Sequence, residues 1–532
     1  MSMNDPIARG LASGWNVVDA SKLTENQTVE ADVVVIGTGA GGGTTAEILS
    51  KQGFSVILVE EGGLYYQKDF KMDEQTAYAT LYQEGMSRTT ADGAISILQG
   101  RCVGGSTTVN WTSSFRTPEQ TLNYWRETFG LEGLAPDVMA PWFDGREERH
   151  TMAPWLTPPN QNNSILRDGC EALGYTWQTI PRNVNGCWNS GYCGVGCPTN
   201  AKQGALMTTI PGALDNQAQM FHGLRAERLV MKQDRIDHLQ ATAMGPDGVT
   251  PSGVTVTLKA NHFVVAASAI GSPGLLLRSD LPDPHNRVGK RSFIHPVSAT
   301  VARMPAKVEP FYGAPQSIYS DEFNFKNGHD GPIGYKLEVP PLHPGMAAGV
   351  VPGHGQLQRD NLGQLPWLQS VIALLRDGFH PESPGGTVSL RDDGSPVLDY
   401  PITDYLWDGI RQSYLDMAEI QFAAGAEAVQ AIHMDSAWYT SWKEAKAAIN
   451  ELPMRPHRAR IFTAHQMGGC GMGSNPEESV VNGFGEHHHV ANLSVHDASI
   501  FPTSIGANPQ LSVYALAARN SVRLAQKLAA KS

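Results

Sequence analysis

A glycine spacing, a histidine and a helix-starting asparagine carry most of the readable chemistry of this chain. In VVVIGTGAGGG, Gly37, Gly39 and Gly42 follow a short apolar strand as G-x-G-x-x-G. The first glycine permits a tight turn, the second lets backbone approach a pyrophosphate, and the third lets the next helix pack on the strand. The start of that helix then offers free N–H groups to the phosphates. Glu60 closes the next strand and can accept hydrogen bonds from a ribose diol. FAD and NAD share the ADP half, so both stay open on these residues alone. His465 opens the glycine-rich turn HQMGGCGMG. A neutral imidazole there can take a proton near pH 7. Asn508 and Pro509 suit the N-cap and first position of a long final helix. Arg519, Arg523, Lys527 and Lys531 gather toward its other end and complement its dipole, leaving a positive start that favours an anion. Cys187, Cys193 and Cys197 have the spacing C-x5-C-x3-C, which suits a thiolate cluster or free thiols. His487, His488 and His489 look like a metal cluster, but consecutive residues on a strand face alternate sides, so a solvated loop or strand start is expected.

The elements that must hold these residues can be read in outline. The 532 residues, 41% hydrophobic and 17% charged, provide for a large globular core. A length prior of roughly 150 residues per domain gives two to four units. Residues 32–36 form a buried strand, TTAEILSKQGF an amphipathic helix stopped by Gly53, and SVILVEEGG a second strand: one βαβ unit. HFVVAASAIGSPGLLLRS reads as strand, turn and helix, and residues 387–400 as a hairpin with an Asp-Gly turn. A helix is predicted over 404–424, capped by Asp404 and stopped by Gly425. VPPLHPGMAAGVVPGHG reads as a loop, and residues 1–30 as a polar arm. The net charge of −12 and the lack of a basic stripe argue against nucleic acid. No apolar run reaches the ~18 residues of a transmembrane segment, and the first residues do not read as a secretion signal, so a cytoplasmic location is expected.

Four further stretches resemble the glucose–methanol–choline (GMC) oxidoreductases, which bind FAD. GRCVGGSTTVN, residues 100–110, is similar to that family's flavin loop. VVAASAIGSPGLLLRS is similar to its second signature, with Ser268 where the family usually has glycine. VGKRSFIHP and the stretch from HQMGGCGMGSNP through LSVHDASIFPTSIGANPQLSVYALAAR complete the resemblance, which spans nearly the whole chain and is thinnest in the middle. It implies an α/β fold: a Rossmann-like FAD-binding domain with an inserted α+β substrate-binding domain. Residues 30–115, 190–300 and 460–532 are expected to form the first, 116–189 and 301–459 the second, and 1–29 an N-terminal arm. The implied cofactor contacts are Gly37, Gly39, Gly42, Glu60, Arg101, Gly105, Ser106, Asn110, Asp497, Ala498 and Pro509.

By the same resemblance His465 is the proton-accepting base and Asn508 its partner, with the helix start beside the flavin. The alcohol gives its α-hydride to flavin N5 and becomes a carbonyl. His295 in FIHP is expected to be structural. The loop GGSTTVN holds no histidine, so FAD is expected to be non-covalent. A primary or hydrophobic alcohol is the expected substrate, with oxygen, a quinone or a redox protein as electron acceptor. Cys187, Cys193 and Cys197 also resemble the iron–sulfur stretch of related sugar dehydrogenases. A sugar or polyol dehydrogenase passing electrons to a partner subunit is therefore the alternative. A lyase using FAD only as a scaffold is the second.

Overall fold

The computed structural model describes residues 5–530. Its nucleotide-binding half rests on an eight-stranded sheet. Val17–Asp19, Gln219–His222, Val56–Glu60, Gln27–Ile36 and Pro251–Val265 lie side by side and parallel, in that order. Val33, Val34, Val35 and Ile36 are buried, as is all of Val56–Glu60. Burial on both faces is why these stretches read as unbroken apolar runs. Pro251–Val265 also takes Leu493–Val495 as a parallel neighbour, while its earlier part pairs antiparallel with Arg235–Met244. The helix Ala40–Lys51 follows the glycine turn and packs against Thr209–Asp215 and the C-terminal helix Gln510–Ala529.

A second eight-stranded sheet stands opposite. Its centre is Val297–Arg303, paired antiparallel with Leu368–Leu375, which pairs in turn with Tyr335–Glu338. Alternate side chains of a strand point to opposite faces. Val371, Ala373 and Leu375 pack in one core with Ile410, Tyr414 and Met417 of the helix Asp404–Ala423. Ile372 and Leu374 face the other way and line the cavity described below. Glu338 sits opposite Ile372 and Lys336 opposite Leu374, so both polar side chains share that cavity-side face.

Several details depart from the sequence reading. The N-terminal segment is no arm within the described residues, and residues 1–4 lie outside them. Pro6–Ala12 is a helix capped by Asp5, Ile7 is buried in the core, and Val17–Asp19 extends the nucleotide sheet. Polar residues here cover only the outer side of a docked segment. Ile95–Ile97 and Ile461–Thr463 pair with each other, and the latter joins the second sheet rather than the first. Pro344–Val350 forms a helix inside the stretch read as a loop, with Pro344 at its start. The helix Asp404–Ala423 is capped by Thr403, which leaves Asp404 as the acidic residue of its first turn. The hairpin is present as Gly386–Leu390 and Pro396–Asp399. Among the described residues no helix is long and apolar enough to cross a membrane; Lys531 lies outside them.

Candidate active site

A cavity of about 910 Å³ opens between the two sheets. On the nucleotide-sheet side it is lined by Gly37, Gly39, Glu60, Arg101, Gly105, Ser106, Asn110, Asp497 and Ala498. On the other side stand Val297, Ile372, Leu374 and Phe462, with His465, Asn508 and Pro509 at the same cavity. The fold thus brings His465 and Asn508 to one space with the glycine turn. Gly42 lies beneath it: a Cβ there would lie 1.9 Å from the Gly37 carbonyl oxygen.

The glycine turn needs its glycines for space as well as for conformation. Gly37 has φ +105, and a Cβ on it would lie 2.1 Å from the Ala266 carbonyl oxygen. Gly105, at φ +54, faces Gly39 so closely that its Cβ would come 2.9 Å from the Gly39 Cα. The two backbones touch with no side chain between them and leave the cavity beside them clear. Glu60 Oε2 accepts from the Thr38 backbone N–H and hydroxyl, and its Oε1 from the Gly62 N–H at 2.9 Å. Burial pushes the Glu60 carboxyl up to about 7. Arg101 turns to Glu61 at 2.9 Å and to the Gly248 carbonyl.

Asp497 is already engaged by the protein. Its Oδ2 accepts from the Ser268 N–H at 2.9 Å and from the Ser272 hydroxyl, and its Oδ1 from the Ser499 N–H. Its carboxylate therefore anchors the start of the helix Ser268–Arg278. Ser268 itself adopts φ +75, the left-handed conformation for which glycine is the usual choice. Ser106 Oγ accepts the Gly100 N–H, and Asn110 Nδ2 donates to Gln510 Oε1 at 2.9 Å. Gln510 in turn donates to the Ser113 carbonyl at 2.7 Å. The flavin-loop stretch and the start of the C-terminal helix are thereby locked together. That helix begins at Gln510 with Pro509 as its cap residue. Asn508 does not cap it. Its Nδ2 donates to Glu338 Oε2 at 3.2 Å, while its Oδ1 is buried without a partner.

The histidine at the site has a second histidine behind it. His465 Nδ1 lies 3.2 Å from His295 Nδ1. His295 Nε2 accepts the Gly506 N–H at 3.0 Å. The two rings thus meet through Nδ1 of each, with donor and acceptor set by the tautomer. Burial holds the His465 conjugate acid down to about 4, so the ring is neutral around pH 7. His295 is fixed in turn by Asp377, whose two oxygens accept the Ile294 and His295 N–H groups at 3.0 Å each. The backbone of His295 has φ +42, and this carboxylate clamps it. His295, Glu338 and Asp377 escaped the sequence reading; only the histidine in FIHP gave any signal, as a structural residue.

The three clustered cysteines have separate partners. Cys187 Sγ accepts from the Asn189 N–H, Cys193 Sγ from Arg182 at 3.6 Å, and Cys197 meets the Thr199 hydroxyl at 3.4 Å. His488 bonds to the Ser479 hydroxyl at 2.9 Å. Among the described residues no group of three or more His, Cys, Asp or Glu is placed to hold a metal ion.

Family models described as GMC oxidoreductase match residues 78–297 and 381–517. The chain belongs to the GMC oxidoreductases. A curated long-chain-alcohol oxidase of Arabidopsis thaliana, FAO4A, is 29% identical over 509 residues, covering 92% of this GMC chain and 68% of its own. An uncharacterised GMC-type oxidoreductase of Mycobacterium tuberculosis is 31% identical over 491 residues, covering 92% and 74%. A solved formate oxidase variant of Aspergillus oryzae shares the fold, with a TM-score of 0.72 at 15% identity over 95% of this chain and 100% of that one. The cofactor of this GMC oxidoreductase is FAD, and the chain acts on the CH–OH group of an alcohol. The residues present fit FAD: Gly39 and Gly105 line the cavity as bare backbone, a helix starts at the glycine turn, and Asn508 offers an unpaired acceptor at the same cavity.

Proposed function

We propose that this chain oxidises a primary, hydrophobic alcohol to its carbonyl, with oxygen as electron acceptor. The observation that carries the substrate class is the wall of the cavity on the second-sheet side. Val297, Ile372, Leu374 and Phe462 face it, and Val297 pairs directly with both Leu374 and Phe462. Burying an alkyl chain against such a wall contributes about 0.8 kcal/mol per CH₂. A sugar would leave most of its hydroxyls unpaired there, at a cost of about 1–3 kcal/mol each. The names of the Arabidopsis relatives, long-chain-alcohol oxidases, agree with both the substrate class and oxygen.

His465 takes the hydroxyl proton and Asn508 orients the hydroxyl oxygen beside the apolar wall. Bound FAD supplies the acceptor for the α-hydride. Gly37, Gly39, Gly42, Glu60, Arg101, Gly105, Ser106, Asn110, Asp497, Ala498 and Pro509 serve its binding, some directly and some, like Asp497, by fixing the backbone that touches it.

The test is anaerobic mixing of the purified, FAD-loaded protein with alcohols of increasing chain length, following flavin absorbance. Bleaching should strengthen with chain length. His465→Ala should keep its FAD and bleach at least 100-fold more slowly. Equal bleaching by glucose or glycerol, or a wild-type rate in His465→Ala, defeats the reading.

A further inference from the structure

Two buried cations, Arg182 and Lys202, hold the segment after Gly105, and among the described residues neither pairs with a carboxylate. Arg182 is 1% exposed. Its Nε donates to the Thr112 hydroxyl at 2.7 Å, and its Nη2 to the Trp111 carbonyl and to Cys193 Sγ. Its Nη1 is buried without a partner. Lys202 donates to carbonyls alone, those of Thr108, Asn110 and Cys193. The negative groups that bear most on Lys202 are thiols, Cys193 first. Buried charge calls for an opposite charge, and a cation beside a cysteine favours the thiolate, which is the form that reacts. Cys193 touches both cations, one through its sulfur and the other through its carbonyl.

Access singles out the same region. Of the six cysteines, Cys102, Cys170 and Cys470 are buried, whereas Cys187, Cys193 and Cys197 are partly exposed. These three share one loop, closed where the Asn185 N–H meets the Ala201 carbonyl at 2.8 Å. Cys187 Sγ accepts the Asn189 N–H, and the charge of Cys193 bears on it more strongly than that of Cys197. Asn185, Gly186 and Trp188 around it are exposed, so little packing holds Cys187 in place.

We propose that Cys193 and Cys187 are a peroxide-responsive thiol pair, oxidised by hydrogen peroxide to a disulfide that draws Cys193 away from Arg182 and slackens the segment after Gly105. This rests on the reading of oxygen as electron acceptor: oxygen that receives two electrons and two protons from the alcohol leaves as hydrogen peroxide. The Cys193 thiolate attacks one peroxide oxygen. An S–O bond forms, the O–O bond breaks, hydroxide leaves, and the sulfur is oxidised by two electrons to a sulfenic acid. The Cys187 thiol then attacks that sulfur. The S–S bond forms, the S–O bond breaks, and the hydroxyl leaves as water with the thiol proton. The bridge reaches the site because the groups that Cys193 touches also hold Asn110, Trp111 and Thr112, all at the cavity. Peroxide that accumulates around the enzyme thereby slows its own source.

The experiment adds hydrogen peroxide to the FAD-loaded enzyme without alcohol, removes it, and maps the thiols by peptide mass. A Cys187–Cys193 disulfide should appear. FAD should then dissociate more readily, anaerobic flavin bleaching by alcohol should slow by about tenfold, and dithiothreitol should reverse both. Cys187→Ser should bleach at the wild-type rate before treatment and stop at a sulfenic acid on Cys193, read by dimedone labelling. Cys193→Ser, whose hydroxyl still accepts from Arg182, should form neither product and keep its rate after peroxide. A bridge from Cys193 to Cys197, earlier oxidation of another cysteine, unchanged FAD release and bleaching in the bridged enzyme, or iron bound to these thiols overturns the proposal. Turnover of alcohol in air should form the same bridge, and catalase should prevent it. If added peroxide makes the bridge but turnover yields no peroxide, the thiol pair is upheld and oxygen as acceptor fails.

Discussion

Lys202 shows how much the site depends on residues that touch no substrate. Its buried ammonium donates to the carbonyls of Thr108, Asn110 and Cys193 at 2.7–2.8 Å. One cation thus pins the loop after Gly105 to the cysteine-bearing turn. Lys202→Met should leave three buried acceptors unpaired, at about 1–3 kcal/mol each; a fall in melting temperature with loss of bound FAD is the expected readout. Gly105→Ala should act more locally, because its Cβ would lie 2.9 Å from the Gly39 Cα. FAD binding should weaken by at least tenfold, checked by equilibrium dialysis, in a chain whose circular dichroism is unchanged. Gly37, Glu60, His465 and Asn508 were legible because motif and spacing mark them. Lys202, His295, Glu338 and Asp377 were not, because each works through a partner on another element, up to 211 residues away for His295 and Gly506. Nothing in local sequence distinguishes a buried Glu in YKLE from an ordinary strand residue.

Among the elements, the C-terminal helix does most to place the chemistry, and its start is held from outside. Gln510 bonds Asn110, Ser113, Ser114 and Asn183 rather than the turn before it. Gln510→Leu should therefore keep the helix but free its first turn, and flavin bleaching by alcohol should slow by about tenfold with FAD still bound, since small misplacements of reacting groups are costly. The βαβ unit was readable because burial on both faces leaves an uninterrupted apolar run and the glycines follow at fixed spacing. The helix Pro344–Val350 was not, since a seven-residue helix of Pro, Gly, Met, Ala and Val owes its existence to neighbours. Likewise the cap of Asp404–Ala423 fell one residue from the predicted one, where Thr and Asp compete for the same position.

At the scale of the molecule, the cavity lies between two sheets with separate cores. A ligand filling it ties the two together. Saturating FAD at 100 times its dissociation constant should stabilise the protein by about 2.7 kcal/mol over the apo form, seen as a melting temperature that rises with FAD concentration. The same sheets also constrain how the chain is made. The strand Pro251–Val265 needs Leu493–Val495 as its neighbour at Phe263, Val264 and Val265. At about 5–20 residues per second, a ribosome takes on the order of ten to fifty seconds to deliver that neighbour after the first strand has emerged. During that interval an apolar edge stands open on the nascent polypeptide, a template for pairing with another copy. Slower initiation, lower growth temperature or a chaperone that covers such edges should raise the yield of soluble enzyme more than any change to its finished surface.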